Sequence, residues 1–135
     1  YSKANIDNVA ENDILIIDNI GMLSSLYQYA EFAYIGGGFG AGLHNILEAA
    51  TFGMPIFIGE NYEKFQEAKD LVIKRGAFCI KNSGDFEKQF ELLFKNKTSQ
   101  NEAGEISQHY VNQNLGASQK IIDYCHQLKK AAKII

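Results

Sequence analysis

The chain has 135 residues, 46% of them hydrophobic, which suits one domain with a sizeable core. The formal charge is −3 and the thirteen basic residues are scattered, so the electrostatic footprint of a nucleic-acid binder is missing. No apolar run is long enough to span a bilayer or to direct secretion, and Cys79 and Cys125 lie far apart without metal-ligand spacing, which reads as two free, buried thiols of a reducing compartment, as in a cytoplasmic protein, with a disulfide or zinc site as the minor alternative.

Strand-like and helix-like segments alternate along the chain. The β-branched run over 14–17 ends at Asp18 and predicts a first buried strand, with others over 32–35, 56–58 and 77–80. Helices are expected between them: 22–30, with Leu23, Leu26, Tyr27 and Ala30 inward; 45–52, stopped by Gly53 and Pro55; and 62–75, with Phe65, Ala68, Leu71 and Val72 inward, ended by Gly76. This alternation predicts an α/β fold with a parallel sheet and helices on both faces. Further on, Asn82 or Ser83 caps a helix carrying Phe86, Phe90, Leu93 and Phe94, and the polar stretch 96–105 is a connector or the start of another helix. After Asn114-Leu115-Gly116 a final helix sets Ile121, Cys125, Leu128 and Ala132 in one stripe, expected to fold back on the sheet or to pair with a second copy of the chain.

The densest signal lies over 34–57. Five of the chain's twelve glycines, Gly36, Gly37, Gly38, Gly40 and Gly42, follow a predicted strand and precede a helix that starts near His44 or Asn45. Ligands of open α/β sheets bind at that end of the sheet, and bare backbone beside a helix start suits a phosphate. A tight turn that binds nothing is the bland alternative. Gly36-x-Gly38-x-x-Ala41, with Glu60 some twenty residues on, also fits the permissive dinucleotide pattern of nicotinamide and flavin proteins. Glu48, in the first turn of the helix, argues against a pyrophosphate there, because a carboxylate would oppose the dipole's attraction for it. A carboxylate suits the hydroxyls of a ribose diol. It is equally compatible with an exposed glutamate favourably placed at a helix start.

Taken in order, Asp18-Asn19-Ile20-Gly21-Met22-Leu23, Leu26-Tyr27, Ala33-Tyr34-Ile35-Gly36-Gly37-Gly38-Phe39-Gly40, His44-Asn45-Ile46-Leu47-Glu48 and Gly53-Met54-Pro55 resemble the carboxyl-terminal domain of the 3-deoxy-D-manno-octulosonic acid (Kdo) transferases. That resemblance implies half of a GT-B glycosyltransferase, a Rossmann-like three-layer domain that binds CMP-Kdo so that Kdo passes to a lipid A precursor in lipopolysaccharide biosynthesis. It implies that Glu48 holds the ribose diol, that the Gly36, Gly37 and Gly38 loop and the Asn45 helix start face the phosphate and the Kdo group, with Phe39 and His44 also at the donor site, and that Ile20, Gly21 and Met22 lie near the cytosine; a structural, loop-orienting role is the alternative for His44. No cofactor or metal is implied. Residues 1–135 would then be one partial donor domain. The acceptor groove, the membrane-associating segment and the catalytic carboxylate of such enzymes have no counterpart in these residues, so the lipid acceptor and the cytoplasmic face of the inner membrane would be reached through an amino-terminal domain not present here. No catalytic residue is assigned, and the chain alone is expected to be inactive. Ala49 and Leu43 stand where many members of the family have proline and glycine, and Glu60 matches no family motif. A GT-B transferase using a UDP-sugar and a non-catalytic nucleotide-binding module are the other readings.

Overall fold

The computed structural model describes residues 13–132, with the side chains of 130–132, Ala132 among them, outside that description. Three short strands, β1 (Ala33–Ile35), β2 (Ile56–Ile58) and β3 (Ala77–Cys79), form a parallel sheet in the order β1-β2-β3. Ala33 pairs with Ile56, and Ile56 with Ala77. The helices are α1 (Leu23–Tyr27), α2 (Leu47–Thr51), α3 (Gln66–Lys74), α4 (Ser83–Phe94), α5 (Lys97–Gln113) and α6 (Ala117–Ala132). The fold is the expected α/β, Rossmann-like in type.

Period-two alternation sorts the strand side chains between the two faces. Ala33, Ile35, Ile56, Ile58 and Ala77 join Ile46, Ala49, Ala50, Ala68 and Leu71 in one core beneath α2 and α3, which Tyr110 and Val111 of α5 complete. Phe57 turns to the other face, where Phe32, Phe78, Phe86 and Phe90 build an aromatic layer under α4. Phe57 meets Phe86 edge-on at 5.1 Å between ring centroids, the geometry that places a positive ring edge against a negative face. Helix α5 approaches α2 closely because residue 104 is glycine: a Cβ there would run into the carbonyl oxygen of Gly53. The buried Ser107 hydroxyl donates to Gly76 O at 3.0 Å and ties α5 to the end of α3.

Several expected elements change on folding. The run over 14–17 forms no strand, and Ile14 and Ile16 are 80% and 73% exposed. Its composition suits a strand, but a strand exists only within a ladder, and among the described residues no ladder forms along the outer edge of β1. Helix α1 is shorter than 22–30 and buries no residue fully: Leu23 is exposed, while Tyr27 is half-buried and packs against the core. Helix α3 begins at Gln66 instead of near Tyr62, because Asn61 N–H donates to Gly38 O at 2.7 Å and residues 61–64 are held in turns against the glycine loop. Its left-handed terminal residue is Arg75, φ 68°, not Gly76. The side chains of Asn82 and Asn96 accept from the N–H groups of Asp85 and Ser99, so the polar stretch after 96 is a helix start.

The carboxyl-terminal helix does not fold back on the sheet. Ile121, Cys125 and Leu128 are all exposed. The spacing identified an amphipathic helix correctly, but which surface takes up an apolar stripe is not a property of its spacing. Cys79 is half-buried, so of the two thiols expected to be buried neither is fully so. Among the described residues no helix is long and apolar enough to cross a membrane.

Candidate functional site

The glycine loop joins β1 to α2 at the carboxyl end of the sheet. Much of its glycine content serves the chain's own backbone. Gly37 has φ +88°, and a Cβ on it would strike the Gly42 carbonyl; its own carbonyl accepts from Gly40 N–H at 2.9 Å and Gly42 N–H at 3.3 Å. Gly38 is buried against the loop after β2, where a Cβ would stand 2.6 Å from Gly59 N. Glycine at these two positions is accounted for by the chain's own backbone: Gly37 lets the loop close on Gly42, and Gly38 lets it touch the loop after β2. Gly36 differs. A Cβ there would meet only His44 Cδ2, at 3.6 Å, so the backbone does not require glycine at that position.

Gly36 lines a cavity of about 410 Å³ with Leu23, Tyr27, Tyr34, Ile35, His44, Asn45 and Glu48. The size is that of a small-molecule site. His44 enters because its backbone N–H donates to Gly36 O at 3.1 Å, closing the loop. Asn45 and Glu48 enter as a pair: Asn45 Oδ1 accepts from Leu47 N–H at 3.0 Å, and Asn45 Nδ2 donates to Glu48 Oε1 at 2.9 Å. Asn45 is exposed and Glu48 half-buried. An ionised carboxylate has about four acceptor positions, of which this bond uses one. Tyr27 stands close enough that burial, and then the charge of Glu48, hold its phenol above the ordinary tyrosine value, so it is a neutral hydroxyl at physiological pH. The cavity thus combines one acid, two phenols, an imidazole and bare backbone. That set suits a ligand rich in hydroxyls with a planar or apolar part.

Gly36, His44, Asn45 and Glu48 of the expected site are brought together here. Phe39 is not on this wall; it is 52% exposed and borders an apolar cavity of about 290 Å³ with Tyr34, Ile80 and Phe86, so Tyr34 is common to both. Ile20, fully exposed, Gly21 and Met22 also lie off the wall, which that segment joins at Leu23. Glu60 is exposed in the loop after β2, and Phe65 packs on the core. His109 and His126 are exposed on α5 and α6. Leu23, Tyr27, Tyr34 and Ile35 were missed as lining residues. Leu23 and Tyr27 stand one helical turn apart, and that spacing marks a shared face without saying whether the face meets core or cavity. Helix α2 has five residues, so the field at its start is that of little more than one turn.

The chain is a Rossmann-like α/β unit with a carboxylate-bearing cavity at the carboxyl end of its parallel sheet. It is similar over 86 residues, 62% of its length, to the 3-deoxy-D-manno-octulosonic acid transferase of Aquifex aeolicus, at 36% identity and covering 24% of that protein. It is similar over 125 residues, 90% of its length, to the transferase of the same name from Rickettsia typhi, at 34% identity and covering 26% of it. At 26% identity over 100 residues it also matches 16% of a bifunctional glycosyltransferase/methyltransferase of Fusobacterium nucleatum. No family model matches the chain. The chain is thus related to a segment of the Kdo transferases, and spans about a quarter of the length of the Aquifex and Rickettsia relatives.

Proposed function

We propose that this chain is the donor-binding part of a glycosyltransferase that moves Kdo from CMP-Kdo to a hydroxyl of a lipid A precursor in lipopolysaccharide biosynthesis. In this reading the cavity at the end of β1 receives the nucleotide. Glu48 accepts hydrogen bonds from the 2′- and 3′-hydroxyls of the ribose, and the Gly36 to Gly38 loop with His44 faces the phosphate and the sugar. Ile20, Gly21 and Met22 lie off the cavity wall, which their segment joins at Leu23, and in this reading they meet the cytosine where it extends past Leu23. The observation that carries the reading is the Glu48 carboxylate, aimed by Asn45 into a cavity that Gly36 leaves open. The relatedness to proteins named 3-deoxy-D-manno-octulosonic acid transferases supports Kdo as the group transferred.

Transfer breaks the bond between the sugar and the CMP phosphate and forms one to the acceptor oxygen, whose proton must pass to a base within hydrogen-bond reach. No carboxylate of this chain is assigned that task. In this reading the base, the acceptor groove and attachment to the cytoplasmic face of the inner membrane are supplied by a domain other than this one. The chain alone binds the donor without turning it over. The test is chemical-shift mapping with CMP. The reading expects the backbone amides of Gly36, Asn45 and Glu48 to move together while those of α6 stay still; shifts confined to α4 and α5 would overturn it.

A further inference from the structure

The Asn45 side chain is divided between two tasks. Its oxygen accepts the Leu47 amide, and its nitrogen donates to Glu48 Oε1 at 2.9 Å. Only the first is needed to start a helix, and aspartate would serve it at least as well, because a carboxylate accepts the same N–H and favours the helix start by its charge. The second task requires an amide. Neither aspartate nor serine offers an –NH2 group at that position, and aspartate would set a second negative charge against Glu48.

We propose that Asn45 is a positioning residue for ribose recognition, fixing the rotamer of Glu48 so that its carboxylate meets a vicinal diol; this rests on the reading of Glu48 as the ribose ligand. An acid on the surface of a five-residue helix has several rotamers of similar energy, and each that does not face the diol weakens binding in proportion to its population. The bond from Nδ2 selects one of them before the ligand arrives. Asn45 therefore acts on discrimination at the sugar, through Glu48, and not on the phosphate directly.

The experiment compares CMP with 2′-deoxy-CMP on the wild-type chain, Asn45→Asp, Glu48→Gln and the double variant, each with a thermal melt. Both nucleotides carry the same phosphate, so any general repulsion by the new aspartate cancels in the ratio of their affinities. The expected wild-type preference for CMP is about tenfold, the loss of one charge-assisted hydrogen bond. In Asn45→Asp the ratio should fall close to one while the melting temperature is unchanged, because the helix start is kept. In the Glu48→Gln background, Asn45→Asp should change the ratio no further. A single Asn45→Asp variant that melts normally and keeps the wild-type ratio overturns the positioning role and leaves the donor reading standing. A wild type that binds both nucleotides equally, or neither, overturns the reading of Glu48 and this inference with it. If Asn45→Asp does not fold, the role is refuted when Asn45→Ala, measured as a folded protein, keeps the wild-type ratio.

Discussion

Asn45 Nδ2 donates to Glu48 Oε1 at 2.9 Å, so the residue that accepts the first free amide of α2 also holds the one carboxylate of the cavity. Glu48→Gln keeps the shape and an oxygen for Asn45, and removes the charge. CMP affinity should fall by roughly ten- to a hundredfold, the equivalent of about 1.5–3 kcal/mol for a hydrogen bond to a charged group. Circular dichroism and melting temperature should stay at the wild-type values. Calorimetric titration decides it, and unchanged affinity would remove Glu48 from the site.

The glycine loop separates into positions needed by the fold and a position open to a ligand. Gly38→Ala places a methyl 2.6 Å from Gly59 N, and neither backbone has room to yield. A loss of about 1–3 kcal/mol in stability is expected, as for other overpacked sites. Gly36→Ala meets only His44 Cδ2 at 3.6 Å, so the melting temperature should hold while the added methyl narrows the cavity and weakens CMP. Urea unfolding and titration of the two variants would show opposite patterns. If Gly36→Ala binds CMP as well as the wild type, the ligand does not approach that part of the loop.

Much of this arrangement is legible in the sequence, and the failures share a cause. Local signals, such as the stop at Gly53 and Pro55, the Asn82 cap and the apolar run Ile56-Phe57-Ile58, give elements of the right type in the right order. Partnership is what they omit. The run over 14–17 looks like a strand but forms no ladder among the described residues, and the apolar face of α1 is divided, with Leu23 and Tyr27 lining a cavity while Tyr27 also packs against the core. The stripe of α6 is helical as expected, yet its Ile121, Cys125 and Leu128 remain exposed. At the site, His44, Asn45 and Glu48 could be picked out because their motif is contiguous. Tyr34 could not be assigned as a wall: it is an outward residue of a strand, and only the folding of the glycine loop places a cavity on each side of it.

Tyr110 O–H donates to Asp70 at 3.0 Å and fastens α5 to α3. Burial first, and then this bond to a carboxylate, raise the Tyr110 phenol above its ordinary value of 10.0. A group whose folded value is raised contributes its full stability below the unfolded value and loses it as pH climbs through the folded one. The wild type should therefore exceed Tyr110→Phe by about 0.5–1.5 kcal/mol at pH 8, the net contribution of one partly exposed hydrogen bond. The gap should close above the ordinary tyrosine value. Denaturant unfolding at pH 8 and at pH 11 measures both; a gap that widens with pH would mean the phenol is not the donor.

The central claim is that the cavity at the end of β1 takes a cytidine nucleotide through its ribose. Parallel titration of the wild-type chain with CMP, UMP and NADH tests it most directly. On the proposed donor-domain reading this unit supplies one wall of the cleft, so binding of CMP is expected to be weak, and to be tighter than binding of UMP and of NADH. Tighter binding of NADH than of CMP would contradict the claim and return the Gly36-x-Gly38-x-x-Ala41 loop to the dinucleotide pattern that its spacing also fits.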